Sequence, residues 1–258
     1  MNKFLSSFTL LLGLVNFIYS DTADHLLLST ICTDPNNAEM IQIYNPTDDI
    51  IYLNDPNVGA YYLTDGNKPS SNKYYYNFPL ENNYWSSSTQ DFIITFPEGD
   101  SISPYETITI GMHTSEAYEG YYSLSSSVDY NLEPDYNLYD LVNNINCSNA
   151  DNSLSCSNFD GCYWDPNIND CINFYDIDFS ILGVEETLIL FFWDGNPDHL
   201  VKDVDYVSWG GLSEASNKSG ITLGSNSFNN ETSVQDQSFL EGLEIHQLYS
   251  RVSYDEFE

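Results

Sequence analysis

The sequence predicts an all-β protein, an antiparallel β-sandwich built from short strands. Many short segments alternate apolar and polar side chains, and turn sequences rich in Asn, Asp, Gly and Pro separate them. Aromatic residues make up 15% of the 258 residues, which favours strands over helices. After the first 20 residues, no apolar stripe with helical spacing reaches a useful length.

The individual strands can be placed from these patterns. The segment TITIGM puts Ile108, Ile110 and Met112 on one face, as in a half-buried strand. The segment ETLILFFW is apolar on both faces, which is typical of a central strand covered on both sides. A short strand is expected at 50–55 and a last one within 243–254. The main predicted strands span residues 26–32, 39–45, 60–64, 91–96, 107–112, 187–193 and 203–209.

The first 20 residues have the pattern of a secretory signal peptide. Lys3 precedes a mostly apolar run from residue 4 to residue 17, and cleavage is expected between Ser20 and Asp21. No later segment is long enough for a membrane span, so we expect a secreted or cell-surface protein. The alternative is a single uncleaved N-terminal anchor, for which the apolar run is short. Residues 21–258 are expected to form one domain, with an irregular Cys-containing insertion at about 115–178 and a polar loop at about 212–238.

The charge balance limits the possible partners. Six Lys and Arg residues face 39 Asp and Glu residues, so the formal net charge is −33. We therefore expect no direct binding to nucleic acid, because such binding needs basic side chains that displace counterions from phosphates. The partner is expected to be a protein or a surface polysaccharide.

Four of the five cysteines are clustered in the predicted insertion. Their spacing lacks the close pairs that are typical of zinc sites. In an exported chain we expect them to form two disulfides, with a connectivity that the spacing leaves open. The expected disulfide residues are Cys147, Cys156, Cys162 and Cys171, while Cys32 is expected to be a small buried strand residue.

No catalytic or cofactor-binding motif is found. The four His residues share no metal-ligand spacing, and neither a nucleophile elbow nor a phosphate-binding glycine loop is present. Adjacent carboxylates carry little information in so acidic a chain, so the sequence predicts a non-enzyme without a cofactor. Calcium has one partial match, since Asp194, Asn196, Asp198 and Asp205 follow a calcium-loop spacing. His199 replaces the required Gly in that loop, and a plain turn is the preferred interpretation.

Aromatic residues in loop-like stretches are the candidate binding residues. Such rings stack on sugars and anchor protein interfaces. The alternative, which is preferred because a Tyr-rich protein must bury many rings partly, is that they close the ends of the sandwich or cover its edges. The candidates are Tyr74, Tyr75, Tyr76, Tyr84, Trp85, Tyr121 and Tyr122.

Three segments, in the same order, resemble the lamin-tail domain, which is an immunoglobulin-like β-sandwich. They are HLLLSTICTDPNNAEMIQIYNPTDDIIYLNDPNVGAYYLTD, FPEGDSISPYETITIG and ETLILFFWDGNPDHLVKDVDYVSWGG. Tyr105 stands where the hairpin of that family commonly has Gly. In the first segment, the positions that match the family pattern are Glu39, Ile41, Ile43, Tyr44, Asn45, Leu53, Tyr62, Leu63 and Asp65.

The resemblance implies a fold and a general role. Lamin-tail domains bind partners in nuclear proteins, and in bacteria they resemble accessory modules of secreted proteins. We therefore expect a secreted, non-enzymatic structural, adhesion or partner-binding module with a disulfide-bearing loop insertion. The alternative is a carbohydrate-binding accessory domain that uses loop aromatics.

Overall fold

The protein is all-β, as predicted. The computed structural model describes residues 21–33, 39–66, 74–80, 92–114, 128–133, 139–140, 162–165, 170–173, 182–183, 185–211, 215–228, 232–237, 239–240 and 248–256. The helical segments among these residues are two short 3-10 helices, Tyr75–Leu80 and Val234–Asp236. The strands are β1 Asp21–Thr22, β2 Leu27–Cys32, β3 Met40–Tyr44, β4 Ile51–Tyr52, β5 Asn54–Asp55, β6 Gly59–Thr64, β7 Ile93–Thr95, β8 Ser101–Ile102, β9 Thr107–Thr114, β10 Tyr130–Glu133, β11 Tyr139–Asp140, β12 Cys162–Asp165, β13 Asp170–Asn173, β14 Glu186–Trp193, β15 Lys202–Trp209, β16 Thr222–Leu223, β17 Asn226–Ser227, β18 Tyr249–Ser250 and β19 Asp255–Glu256.

The seven main predicted strands are confirmed as β2, β3, β6, β7, β9, β14 and β15. Strong alternation and β-branched residues identify these strands without help from distant contacts. The last predicted strand is present only as the two residues of β18, and residues 241–247 lie outside the described part of the chain.

A five-stranded sheet has the order β10-β9-β3-β2-β18. β2, β3 and β9 are antiparallel neighbours, with Ile41 opposite both Ile31 and Ile110. β10 pairs with β9 in parallel, with Tyr130 opposite Ile110, so the expectation of a purely antiparallel arrangement is corrected at this edge. β10 also corrects the expected irregular insertion at about 115–178, because part of that segment is an edge strand of the sheet.

A six-stranded sheet has the order β11-β7-β6-β14-β15, and β5 pairs with β6 beside this path. β14 is central, as its apolar sequence predicts, and pairs with both β6 and β15. Leu188 and Leu190 belong to the core cluster that includes residues of the five-stranded sheet. Ile189 and Phe191 belong to a second cluster. β14 therefore buries side chains on both faces, as expected for a strand covered on both sides.

The main core takes side chains from both sheets. Its members on the five-stranded sheet include Leu28, Ile31, Ile41, Ile43, Ile108, Ile110 and Met112, and those on the six-stranded sheet include Leu63, Ile94, Leu188, Leu190 and Trp209. Most of these side chains are fully buried. The two sheets therefore share one apolar core.

A second layer covers the outer face of the six-stranded sheet. It contains the 3-10 helix Tyr75–Leu80 and residues 215–228, which include the hairpin β16–β17. Tyr75 and Tyr76 are 0% and 3% exposed and pack with Phe191 and Phe228. As binding residues they would be open to a ligand, but the structure buries both rings against an apolar sheet face, which agrees with the alternative that such rings cover the sandwich. The polar loop expected at 212–238 is likewise corrected, since part of it is this covering layer.

The cysteine cluster falls only partly within the described residues. β12 and β13 form a hairpin in which Cys162 lies opposite Asn173 and Cys171 lies opposite Trp164. Cys147 and Cys156 lie outside the described residues, so the two disulfides stay a prediction. Cys32 is in β2 and is 1% exposed, in agreement with the expected buried strand position.

Candidate partner-docking surface

β4 and β8 form a two-stranded ribbon that carries exposed side chains on a buried base. Ile51 lies opposite Ile102, and the amide of Leu53 donates a hydrogen bond of 2.7 Å to the carbonyl of Asp100. Leu53 and Ile102 are fully buried in the main core, which fixes the ribbon to the domain. We call residues 48–58 and 98–106 the acidic ribbon.

Asn45 holds the two turns of the acidic ribbon together. Its fully buried side-chain amide nitrogen donates to the carbonyls of Asp49, Ile102 and Ser103 at 2.8, 3.0 and 3.1 Å. Its side-chain oxygen accepts hydrogen bonds from the backbone and hydroxyl of Thr47. An aspartic acid could not donate these bonds, so the amide is required at this position to join the two turns.

Alternate residues of the ribbon point away from the core. Ile51 is half-buried and Leu53 is buried, whereas Tyr52 between them is exposed. This alternation is the ordinary consequence of strand geometry. Large apolar side chains are therefore held in solvent by a rigid base, and such a surface is a common feature of interaction sites. The exposed fractions are 54% for Ile50, 55% for Tyr52, 61% for Val58 and 63% for Tyr105.

Tyr105 has a backbone conformation that aromatic residues rarely adopt. Its φ angle is 59°, in the left-handed region, which costs about 1–2 kcal/mol for a residue with a Cβ atom. The turn around it is fixed because the Glu106 carboxylate accepts a 3.0 Å hydrogen bond from the amide of Ser103. Hydrogen bonding to Ser103 lowers the pKa of Glu106. The strain is retained while the ring stays exposed, so packing inside this domain does not explain the tyrosine.

The charge on the acidic ribbon is of one sign. The two ranges contain no Lys or Arg. A cationic side chain that approaches Tyr52 or Tyr105 would meet both an aromatic face and carboxylates, and both attract it. The acidic residues are Asp48, Asp49, Asp55, Glu98, Asp100 and Glu106.

A bulge in β15 sends two nearby carboxylates to opposite faces of the six-stranded sheet. Leu190 lies opposite Asp205 and Phe191 lies opposite Asp203, so β15 has one extra residue at this point. Leu190 belongs to the main core and Phe191 to the outer cluster. Asp205 therefore faces the five-stranded sheet, whereas Asp203 faces the outer layer.

Asp205 joins the two sheets through Arg251. One carboxylate oxygen accepts hydrogen bonds from the Arg251 guanidinium at 2.5 Å and from the amide of Leu28 in β2 at 2.7 Å. Burial raises the pKa of Asp205, and the charge of Arg251 and the Leu28 hydrogen bond offset only part of this effect. These contacts give Asp205 a structural role between the sheets.

The turn after β14 does not gather the residues of the calcium-loop spacing. Asp194 accepts a hydrogen bond of 2.5 Å from the His199 ring, which lowers the pKa of Asp194. Asp205 is held elsewhere by Arg251. Among the described residues, no group of three or more His, Cys, Asp or Glu side chains is placed to hold a metal ion. The local hydrogen bonds fit the interpretation as a turn.

Of the candidate aromatics from the sequence, the three that the structure describes, Tyr74, Tyr75 and Tyr76, lie outside the acidic ribbon. Tyr74 is half-buried, with its ring 5.0 Å from that of Tyr76, and the burial of Tyr75 and Tyr76 is given above. The remaining candidates, Tyr84, Trp85, Tyr121 and Tyr122, lie outside the described residues. Sequence reasoning missed Tyr52 and Tyr105. The available signal was the tyrosine at a hairpin position where Gly is usual.

Comparisons with known proteins add no relative. No family model, no curated protein and no solved structure matches the chain. Within the described residues, no helix has the length and apolar character needed to cross a membrane.

Proposed function

We propose that this chain is a secreted, non-enzymatic partner-binding module, and that it docks a cationic segment of another protein on the acidic ribbon. The observation that carries the proposal is Tyr105, an exposed aromatic ring held at a strained turn beside carboxylates. Tyrosine rings anchor many protein interfaces, and arginine is the side chain that stacks best on them. The occupant is therefore a segment rich in Arg or Lys with apolar residues between them.

The fold behind this module is an immunoglobulin-like β-sandwich of the lamin-tail type. Support comes from the two sheets that share one core and from the confirmed strands within the three resembling segments. Asn45 is one of the positions that match the lamin-tail pattern, and its physical role is to join the two turns of the acidic ribbon through its side-chain amide. Secretion rests on the pattern of the first 20 residues and on the expected disulfides.

The non-enzymatic part of the proposal is supported by the roles of the polar groups. Asp205 and Arg251 connect the sheets, and Asp203 and Lys218 connect the outer layer to β15. These contacts account for the four charged groups by links within the domain, which need no substrate. An exposed apolar surface between acidic turns fits binding better than catalysis.

The double variant Tyr52→Ala/Tyr105→Gly tests the docking surface. With a synthetic peptide that alternates Arg and Leu as the probe, we expect the dissociation constant to rise about tenfold to hundredfold, because two anchor rings are lost. The single change Tyr105→Gly should raise the free energy of unfolding by about 1 kcal/mol, since glycine tolerates the left-handed conformation. Isothermal titration calorimetry and urea unfolding measure the two effects.

The matched control is Tyr206→Ala. Tyr206 is 37% exposed on β15 and lies beside Asp205, so it is also an exposed tyrosine near acidic residues. We expect this variant to bind the peptide like the wild type. Equal weakening by both variants would show that the peptide contacts exposed tyrosines wherever they lie, and unchanged binding in both would show that it follows net charge alone. Either result would refute the acidic ribbon as the docking surface.

A carbohydrate-binding accessory module is the second candidate, and one cavity favours it. The cavity has a volume of about 340 Å³ and is lined by Tyr206, Thr232 and Gln237 among others. An exposed ring beside amide and hydroxyl groups is suited to a sugar. In this case Tyr206→Ala, and not the double variant, would abolish binding of the ligand.

A further inference from the structure

Lys218 is a buried lysine in a protein with very few cations. Its side chain is 3% exposed, and its ammonium nitrogen contacts the Asp203 carboxylate. The nitrogen also lies 5.0 Å from the ring centre of Phe228 and 5.6 Å from that of Tyr75. Two aromatic rings and the Asp203 carboxylate therefore lie close to the amine.

Tyr75 fixes the other side of that carboxyl group. Its hydroxyl donates a 2.7 Å hydrogen bond to the second oxygen of Asp203. The bulge in β15 directs Asp203 to the outer layer, where both partners lie. The three groups thus come from separate segments. The amine belongs to residues 215–228, the carboxyl carbon to β15 and the hydrogen-bond donor to the 3-10 helix Tyr75–Leu80.

We propose that Lys218 and Asp203 condense into an intramolecular isopeptide bond. The Lys218 ammonium is 3% exposed and loses most of its solvation, whereas an amide is neutral and loses much less. Fixed contact between two reacting groups raises their effective concentration by several orders of magnitude. The inference does not depend on the proposed docking function, because it concerns the outer face of the six-stranded sheet.

The reaction is balanced without an added reagent. The Lys218 ammonium first transfers one proton to the Asp203 carboxylate, which gives an amine and a carboxylic acid. The amine nitrogen then attacks the carboxyl carbon, and the Tyr75 hydroxyl stabilises the negative charge that develops on the oxygen it contacts. The nitrogen gives up a second proton, the C–OH bond breaks and one water leaves. No atom is oxidised or reduced.

The water has a route out of the site. Asp203 and Lys218 both line the cavity of about 340 Å³, and the Asp203 side chain is 29% exposed. The new amide would join β15 to residues 215–228 covalently. The outer layer would then stay on the sheet during unfolding.

The Asp205–Arg251 pair provides an internal comparison. It is also a partly buried contact between a cation and a carboxylate on β15. A guanidinium stays protonated under all ordinary conditions and is not a nucleophile. We therefore expect condensation at Asp203 and none at Asp205.

The test is the mass of the purified chain after reduction, alkylation and complete denaturation. We expect the wild-type mass to be one water lower than the sequence requires. A tryptic digest should contain one branched peptide that joins Asp203 to Lys218, with no cleavage after Lys218. A wild-type chain with the full sequence mass and with ordinary cleavage after Lys218 would overturn the proposal.

Four variants identify the groups. Lys218→Arg and Asp203→Ala should both have the full sequence mass, and this is readable even if either variant folds poorly. Asp203→Asn should also keep the full sequence mass, because its amide cannot accept the first proton from the Lys218 ammonium. Tyr75→Phe should slow the loss of water. A loss of water that persists in Lys218→Arg would assign the reaction to other residues and refute the proposal.

Discussion

The variant Arg251→Met is expected to lose about 3–5 kcal/mol of unfolding free energy, because it leaves the buried Asp205 carboxylate without its cation. The Asp205 side chain is 10% exposed, so water cannot replace the guanidinium. Arg251 also donates a hydrogen bond from Nε to the carbonyl of Leu28, so the change removes a connection between β2 and β15. Urea unfolding followed by tryptophan fluorescence measures the loss.

The pH dependence of this loss has a defined sign. Burial raises the pKa of Asp205 above its value in the unfolded chain, so the folded state holds a proton at this site more tightly than the unfolded state does. The stabilisation that Asp205 contributes is therefore complete at pH values below its pKa in the unfolded chain. It is lost as the pH rises through its pKa in the folded protein. Without Arg251 the folded pKa rises further. The deficit of the variant relative to wild type should shrink as the pH falls through that range.

Lys202→Met is the control for the charge change. Lys202 is exposed on β15, the strand that carries Asp205. Its replacement by Met changes the net charge by the same amount as Arg251→Met. We expect a change of less than about 0.5 kcal/mol, as is usual for exposed positions. Similar losses in both variants would show that net charge, and not the contact between the sheets, determines the effect.

The variant Trp209→Ala is expected to lose about 3–5 kcal/mol, the usual range for removing a fully buried tryptophan. Trp209 is 0% exposed at the end of β15, and its indole nitrogen donates a 2.8 Å hydrogen bond to the carbonyl of Gly183. The substitution leaves a cavity in the core shared by the two sheets and removes the donor for that carbonyl. Thermal and urea unfolding give the change.

Trp193→Ala is the matched control. Trp193 is half-buried at the end of β14, where its indole nitrogen donates to the carbonyl of Asn196. Because solvent already reaches its ring, we expect a loss well below that of Trp209→Ala. Equal losses would contradict the placement of Trp209 at the centre of the shared core.

Local pattern was enough for the main strands, since alternation and apolar runs depend on neighbouring residues. β14 was predicted to be central because both of its faces are apolar, and each face does meet a separate cluster. Asn45 was one of nine positions that match the lamin-tail pattern and Tyr105 was a departure from it, but neither was predicted to shape a surface, as both do in the acidic ribbon.

Contacts between distant segments could not be predicted in this way. Tyr75 and Tyr76 lie in a polar stretch, so only the outer sheet face that they cover explains their burial. The parallel edge strand β10 depends on a long connection, which strand periodicity does not describe. The bulge that separates Asp203 from Asp205 has no signal in the alternation, because it is defined by the register with β14.

The central claim is that the acidic ribbon docks a cationic segment. The most direct test is hydrogen exchange of the backbone amides, measured by mass spectrometry with and without the peptide that alternates Arg and Leu, at low and at high salt. Protection should be confined to residues 48–58 and 98–106 and should weaken as salt screens the carboxylates. Protection spread over the whole acidic surface, or found around residues 202–218 instead, would contradict the account.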